Sequence, residues 1–294
     1  MSLLEKRIKG LSEELSSTVS KLARSALPKD VHRLRTTIRR IESLISYSHP
    51  DLGKKQERIL EDMTDLRKRA GKVRDMDVQI GLLDQLANGS AASDRRILME
   101  LLKGKRVRQA KRLVSAVKNL DGEKFFSQMD RIAKKSASGP SVDNKPVAPL
   151  QEAQAQLAGL AADFVSRTTL KPRRLHEARI KLKMVRYMAE IAEESAEQQG
   201  FLRDLKSVQN AVGAWQDWAE LAKTAENRFA DRVNSPILME VRSLFAARYS
   251  SATSAVAQLF SSSLPAPAKK QVQSVQNARA SARRDGRASG EVGE

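Results

Sequence analysis

No cysteine occurs anywhere in the 294 residues. That absence removes disulfide frameworks, thiolate metal sites, iron–sulfur clusters and thiol nucleophiles, and it fits a reducing cytoplasm. Aromatics are scarce, with 2 Trp, 3 Tyr and 7 Phe. Proteins that hold single-stranded nucleic acid stack bases on aromatic side chains set among their basic ones. The densest basic stretches here, Arg33 to Arg40, Arg67 to Arg74 and Lys103 to Arg112, contain no aromatic residue. Long apolar runs are missing too. The longest uncharged stretch, Tyr249 to Ala268, is half Ser, Thr, Gln or Pro, so no bilayer span is expected. Charges at Glu5, Lys6, Arg7 and Lys9 interrupt the place where an export signal needs an apolar run. Negative charge is also in short supply. With 35 Asp+Glu against 53 Lys+Arg, the formal charge is +18, which points to a soluble anionic partner, and one without bases rather than RNA.

What is present is helical periodicity. Leu4, Ile8, Leu11, Leu15, Val19 and Leu22 recur at three- and four-residue steps, as one buried helix face requires. A second stripe follows Pro28 (Val31, Leu34, Ile38, Ile41, Ile45) and ends at Pro50. A third runs from Ile59 through Met63, Leu66, Ala70, Val73 and Ile80 to Leu83, and a fourth carries Leu98, Leu102, Ala110, Leu113 and Val117. A short helical piece at Phe125 to Lys134 precedes a Gly, Ser and Pro-rich stretch. Helices are then expected over 150–169, 172–195, 198–230 and 236–263. No segment alternates with period two. The expectation is an all-α protein, organised as a first four-helix repeat (1–135), a linker (136–149), a second four-helix repeat (150–264) and a disordered basic tail (265–294).

The second half repeats the first. VHRLRTTIRRIESL at 31–44 aligns with LHEARIKLKMVRYM at 175–188. GKVRDMDV at 71–78 aligns with GAWQDWAE at 213–220 through Gly71/Gly213 and Asp75/Asp217. The segments 101–117 and 243–259 match through Leu102/Leu244, Arg106/Arg248, Ala110/Ala252 and Val114/Val256. Such an internal duplication implies two four-helix bundles related by a pseudo-two-fold axis.

On a wheel of about 100° per residue, Arg35 and Arg39 fall within about 60° of His32, at the border of the apolar stripe. His176, Arg179 and Lys183 repeat that arrangement, with Arg186 beside them, and Arg40 stands on the far flank of the first helix. A basic flank on one helix is an ordinary solvated face. The same H-x-x-R-x-x-x-[KR] spacing in two repeats is not, because solvated surface needs no particular residue, whereas phosphate recruits Arg forks, Lys charges and His donors. On the third helix Lys68 and Lys72 share a face, with Arg69 nearer the stripe; solvated face and ligand groove both remain open. Asp77 falls inside the apolar stripe and is expected to pair with a core-bordering Arg. Arg106 and Arg248 each lie between apolar neighbours four residues away, so each is expected inward, paired by a carboxylate or by a bound phosphate.

These motifs resemble the signature of the CHAD family, the conserved-histidine α-helical domain. Its H-x-x-R-V-x-x-R-R is met by His32, Arg35, Arg39 and Arg40. Its L-H-x-x-R-I-x-x-K-x-x-R-Y is met by Leu175, His176, Arg179, Ile180, Lys183, Arg186 and Tyr187, and VRDMDV at 73–78 is similar to its R-D-x-D-V segment. Thr36 replaces the usual Val, Gln216 the Arg of the second R-D, and Ala219 its second Asp. The resemblance implies two helical bundles around a basic surface that binds inorganic polyphosphate. Many members carry a CYTH domain first; Pro28 opens the His helix so early that a stand-alone member is expected.

The expected function is therefore non-catalytic binding of inorganic polyphosphate, in the cytoplasm and with polyphosphate granules. No cofactor and no resident metal are expected, since His32, His49 and His176 show no chelating spacing and no P-loop or H-E-x-x-H occurs. Two other classes stand beside it: a metal-dependent phosphoanhydride hydrolase built on the repeated histidines, and a nucleic-acid-binding helical protein.

Overall fold

A computed structural model describes residues 2–48, 50–86, 91–137, 148–165, 170–232 and 235–264. The described residues are all-helical, in the order α1 (Leu3–Leu22), α2 (Pro28–Ser48), α3 (Lys54–Asp84), α4 (Ala92–Lys118), α5 (Gly122–Ala137), α6 (Pro149–Val165), α7 (Pro172–Ala189), α8 (Ala196–Arg228) and α9 (Pro236–Ser263). The tail expected over 265–294 and most of the expected linker lie outside the described residues. None of the described helices is long and apolar enough to cross a membrane.

Local chemistry sets the helix starts. α2, α6, α7 and α9 open on Pro28, Pro149, Pro172 and Pro236, whose fixed φ suits a first turn and whose missing N–H would find no partner there. Ser2 caps α1 by accepting from the Glu5 N–H, and Ser195 caps α8 by accepting from the Gln198 N–H. α7 stops at Ala189, before the expected boundary, because Gln198 Nε2 reaches back to the Ala189 carbonyl at 3.1 Å and folds the chain over.

The segment expected as a short piece is a full helix, α5. Its stripe of Phe125, Met129, Ile132 and Ala133 is almost completely buried, and it packs along α1. The first half thus has five helices where four were expected. Apolar residues gather into three cores. One belongs to α1, α2, α3, α5 and the end of α4; a second to α6, α7, α8 and α9. The third is shared: Leu83, Leu98 and Leu102 of the first half pack with Trp218, Leu221, Phe229, Ile237 and Val241 of the second. Thr224 donates to Gln79 across this junction at 2.8 Å, and Ser235 donates to the buried Asp94 at 2.7 Å. The halves meet like on like, α2 against α7, α3 against α8 and α4 against α9.

Candidate functional site

α2 turns Val31, Leu34, Ile38 and Ile41 fully inward, so Arg35 and Arg39, one step around the helix, stand half-buried at the border. α7 does the same with Leu175, Ala178, Leu182 and Val185, which leaves Arg179 and Lys183 at its border. Because α2 packs against α7, the two borders face each other. Arg35 feels the charges of Arg39 and Arg179, and Lys183 feels Arg179, Arg39 and Arg35. α3 adds Arg74 and Asp75 to the walls, and α8 adds Asp217 and Glu220. The cluster holds more positive than negative charge.

The electrostatics are those of crowded cations removed from water. Burial, helped by Arg39 and Arg179 and opposed by Asp75, brings Arg35 down to about 10. Burial, then Arg179, Arg39 and Arg35, bring Lys183 down to about 7. Arg179 is lowered in the same way by burial, against the pull of Asp217. Burial raises the carboxyls of Asp75 and Asp217 despite their cationic neighbours. Among the described residues, no hydrogen bond or ion pair holds the side chains of Arg35, Arg39, Arg179 or Lys183, and Arg179 Nε is buried without an acceptor. Buried donors nearly always find acceptors. Among the described residues Arg179 Nε has found none.

The repeated histidines flank the cluster, both exposed, and differ. His32 is lowered by partial burial and then by Arg74, Arg35 and Arg39. His176 Nδ1 lies 2.9 Å from Gln216 Oε1, and Gln216 Nε2 donates to Glu220 at 3.0 Å, so the amide oxygen faces the ring and the proton sits on Nδ1. Gln216 is the residue aligned with Arg74. One histidine therefore meets a cation where the other meets a neutral acceptor.

The remaining predicted residues lie elsewhere or are already partnered. Arg40 and Arg186 converge on Glu190, at 3.3 and 2.9 Å, and Arg7 donates to the Glu190 and Ala192 carbonyls; together they clasp α7 to the first half. Arg106 is inward, as expected, but donates to Asp77 at 2.6 Å and to the Ala26 carbonyl at 2.8 Å. Arg248, expected inward, is exposed on α9, because Phe245 and Tyr249 take that helix's inner face against Trp215. Arg69 pairs with Asp65 at 3.1 Å, and Lys68 and Lys72 are exposed along α3. Sequence reasoning passed over Arg74, Asp75, Asp217 and Glu220 as site residues. The Asp75/Asp217 alignment was their signal.

Among the described residues no three His, Asp or Glu side chains converge as metal ligands. The fold is similar to the crystal structure of the CHAD domain from the plant Ricinus communis, with a TM-score of 0.63 and 16% identity over 87% of this chain and 88% of that one. It is similar too to PptA from Streptomyces chartreusis, with a TM-score of 0.57 and 16% identity over 88% of this chain and 97% of that one. At these identities the likeness is one of fold. No curated protein matches the chain. The CHAD domain model matches residues 7–226, three quarters of the sequence, and the chain belongs to the CHAD domain family.

Proposed function

We propose that the chain binds inorganic polyphosphate, without turning it over, in the groove between α2 and α7. The observation that carries this reading is the set Arg35, Arg39, Arg179 and Lys183, drawn from both halves, half-buried and unpartnered, with Arg179 Nε lacking any acceptor. A linear phosphate chain offers oxygens at close, regular intervals and brings the negative charge that the crowding demands. The groove's cations are not interleaved with aromatics, which favours a polymer without bases. We read the like-on-like packing as an internal duplication, so that each half contributes a matching pair of cations. The working compartment under this reading is a reducing cytoplasm in which the polymer accumulates as granules.

Binding is measured by calorimetry in EDTA over a salt series. Counterion release makes log K fall steeply with log salt, and the nucleic-acid slope of about −0.7 per phosphate is a guide to its size. Charge reversal at Arg35 and Arg39 should flatten the slope. An unchanged slope in a folded variant would remove the groove as the site. Orthophosphate release that EDTA abolishes would favour the hydrolase, and equal competition by oligonucleotides of matched charge would favour the nucleic-acid reading.

A further inference from the structure

Beyond the cation cluster, α2 and α7 continue together and line a second space. A cavity of about 520 Å³ lies where α1 meets them, with apolar walls of Leu11, Leu44 and Ile191 and one aromatic ring, Tyr187. Tyr187 follows Lys183 by one helical turn, about 6 Å along the axis, and its phenol stands near enough to Arg35 to act on that guanidinium's charge. The ring is half-buried, and nothing among the described residues holds its hydroxyl. Tyr187 and Arg40 thus put one wall of the cavity within a helical turn of the groove's cations Lys183 and Arg39.

Its chemistry differs from the groove's. Arg7 and Arg40, the cations at its rim, are already bound to Glu190 or to backbone carbonyls. Glu14 and Glu190 also face it, Glu14 paired with Arg33 at 3.7 Å and Glu190 with Arg40 and Arg186, and a paired carboxylate keeps lone pairs for a further donor. Carboxylates repel phosphate but accept from exocyclic amines. A space with apolar walls, one free aromatic ring and carboxylate acceptors fits a flat, neutral, amine-bearing ring.

We propose that this groove and cavity together bind nucleoside polyphosphates, the phosphate chain lying over the cation cluster and an amine-bearing base seated against Tyr187. The proposal rests on the groove being the phosphate site. It involves one base per chain, since a single aromatic residue lines the cavity.

The test compares adenosine 5′-tetraphosphate with inorganic tetrapolyphosphate by calorimetry on the full chain in EDTA. The adenosine compound should bind about tenfold more tightly, the contribution of one base stacked on an aromatic ring. Gly10 also lines the cavity, and a β-carbon there meets nothing within 4 Å. Gly10→Leu should fill the space, keep the fold and abolish the preference while leaving the inorganic affinity in place. Tyr187→Ala should abolish the preference in the same way. Equal affinities in the wild type, or a preference that survives Gly10→Leu, overturns the proposal. If neither compound binds, the phosphate site itself is wrong, and the inorganic arm tells the two failures apart.

Discussion

Asp77 accepts from Arg106 Nε at 2.6 Å, its side chain only 6% exposed, while Asp75 on the same helix faces the cation cluster. The two carboxylates of VRDMDV have separate duties. Asp77 anchors α4, through Arg106, to α3 and to the turn between α1 and α2; Asp75 moderates the groove. Asp77→Ala leaves a largely buried guanidinium with one carbonyl and should cost about 2–4 kcal/mol in urea unfolding. Polyphosphate affinity of the folded variant should change by no more than about twofold (about 0.4 kcal/mol). A larger loss would return Arg106 to the binding site.

Under the proposed function, the groove's cations serve a ligand at the cost of the free fold. Arg35 and Arg179 hold charge away from water with no ion pair of their own. Replacing either by Met should raise the thermal midpoint of the free protein and weaken polyphosphate binding by about ten- to a hundredfold, the range of one lost charged hydrogen bond. A lower midpoint with unchanged affinity would mark the two as structural.

Lys183 sets the pH dependence. Its ordinary value is 10.5, and burial among arginines brings it to about 7. Between these values the folded, ligand-free chain holds fewer protons than the unfolded one, so stability should rise as pH climbs from about 7 towards 10.5. Below about 7 both states are protonated and the cost of the buried charge is fully felt. A polyanion favours the ammonium, so binding takes up a proton and tightens as pH falls towards 7, then levels off. His32, also lowered, adds a second uptake at more acid pH. Calorimetry at pH 8 in two buffers of different ionisation enthalpy reads the proton directly, and Lys183→Met should abolish it. No uptake by the wild type would overturn this mechanism.

Gly71 gives a geometric check. A β-carbon there would stand 3.8 Å from Arg35 Nε, whereas at Gly213, its counterpart in the repeat, it meets nothing within 4 Å. Gly71→Ala fits and should stabilise the helix by about 0.5–1 kcal/mol. Gly71→Ile should displace the guanidinium and weaken binding; Gly213→Ile should not. Equal effects from the two isoleucines would show that Arg35 does not act from this position.

The helices were legible because three- and four-residue apolar spacing leaves little else to build, and Pro28 marked the start of the second. The cations of α2 and α7 were legible because the same border recurred twice. Two things were not. α5 was marked only as a short helical piece at Phe125 to Lys134, and its full length, Gly122–Ala137, is set by packing along α1. Which arginines stay free depends on carboxylates far away in sequence: Glu190 takes Arg40, Asp77 takes Arg106, and nothing takes Arg179. A wheel shows where a residue points along one helix and is silent about what comes to meet it.

The shared core has a mechanical consequence. Arg35 and Arg39 are mounted on one half and Arg179 and Lys183 on the other, so the distance between them follows how the halves pack. Besides the direct α2–α7 contact and the Arg7 and Arg40 clasp, the halves are held at the joint where Leu98 and Leu102 meet Trp218 and Ile237. Loosening that joint should change the span of the groove without touching a single cation, so part of its calibration rests with tryptophan and leucine on helices that contribute none of its cations.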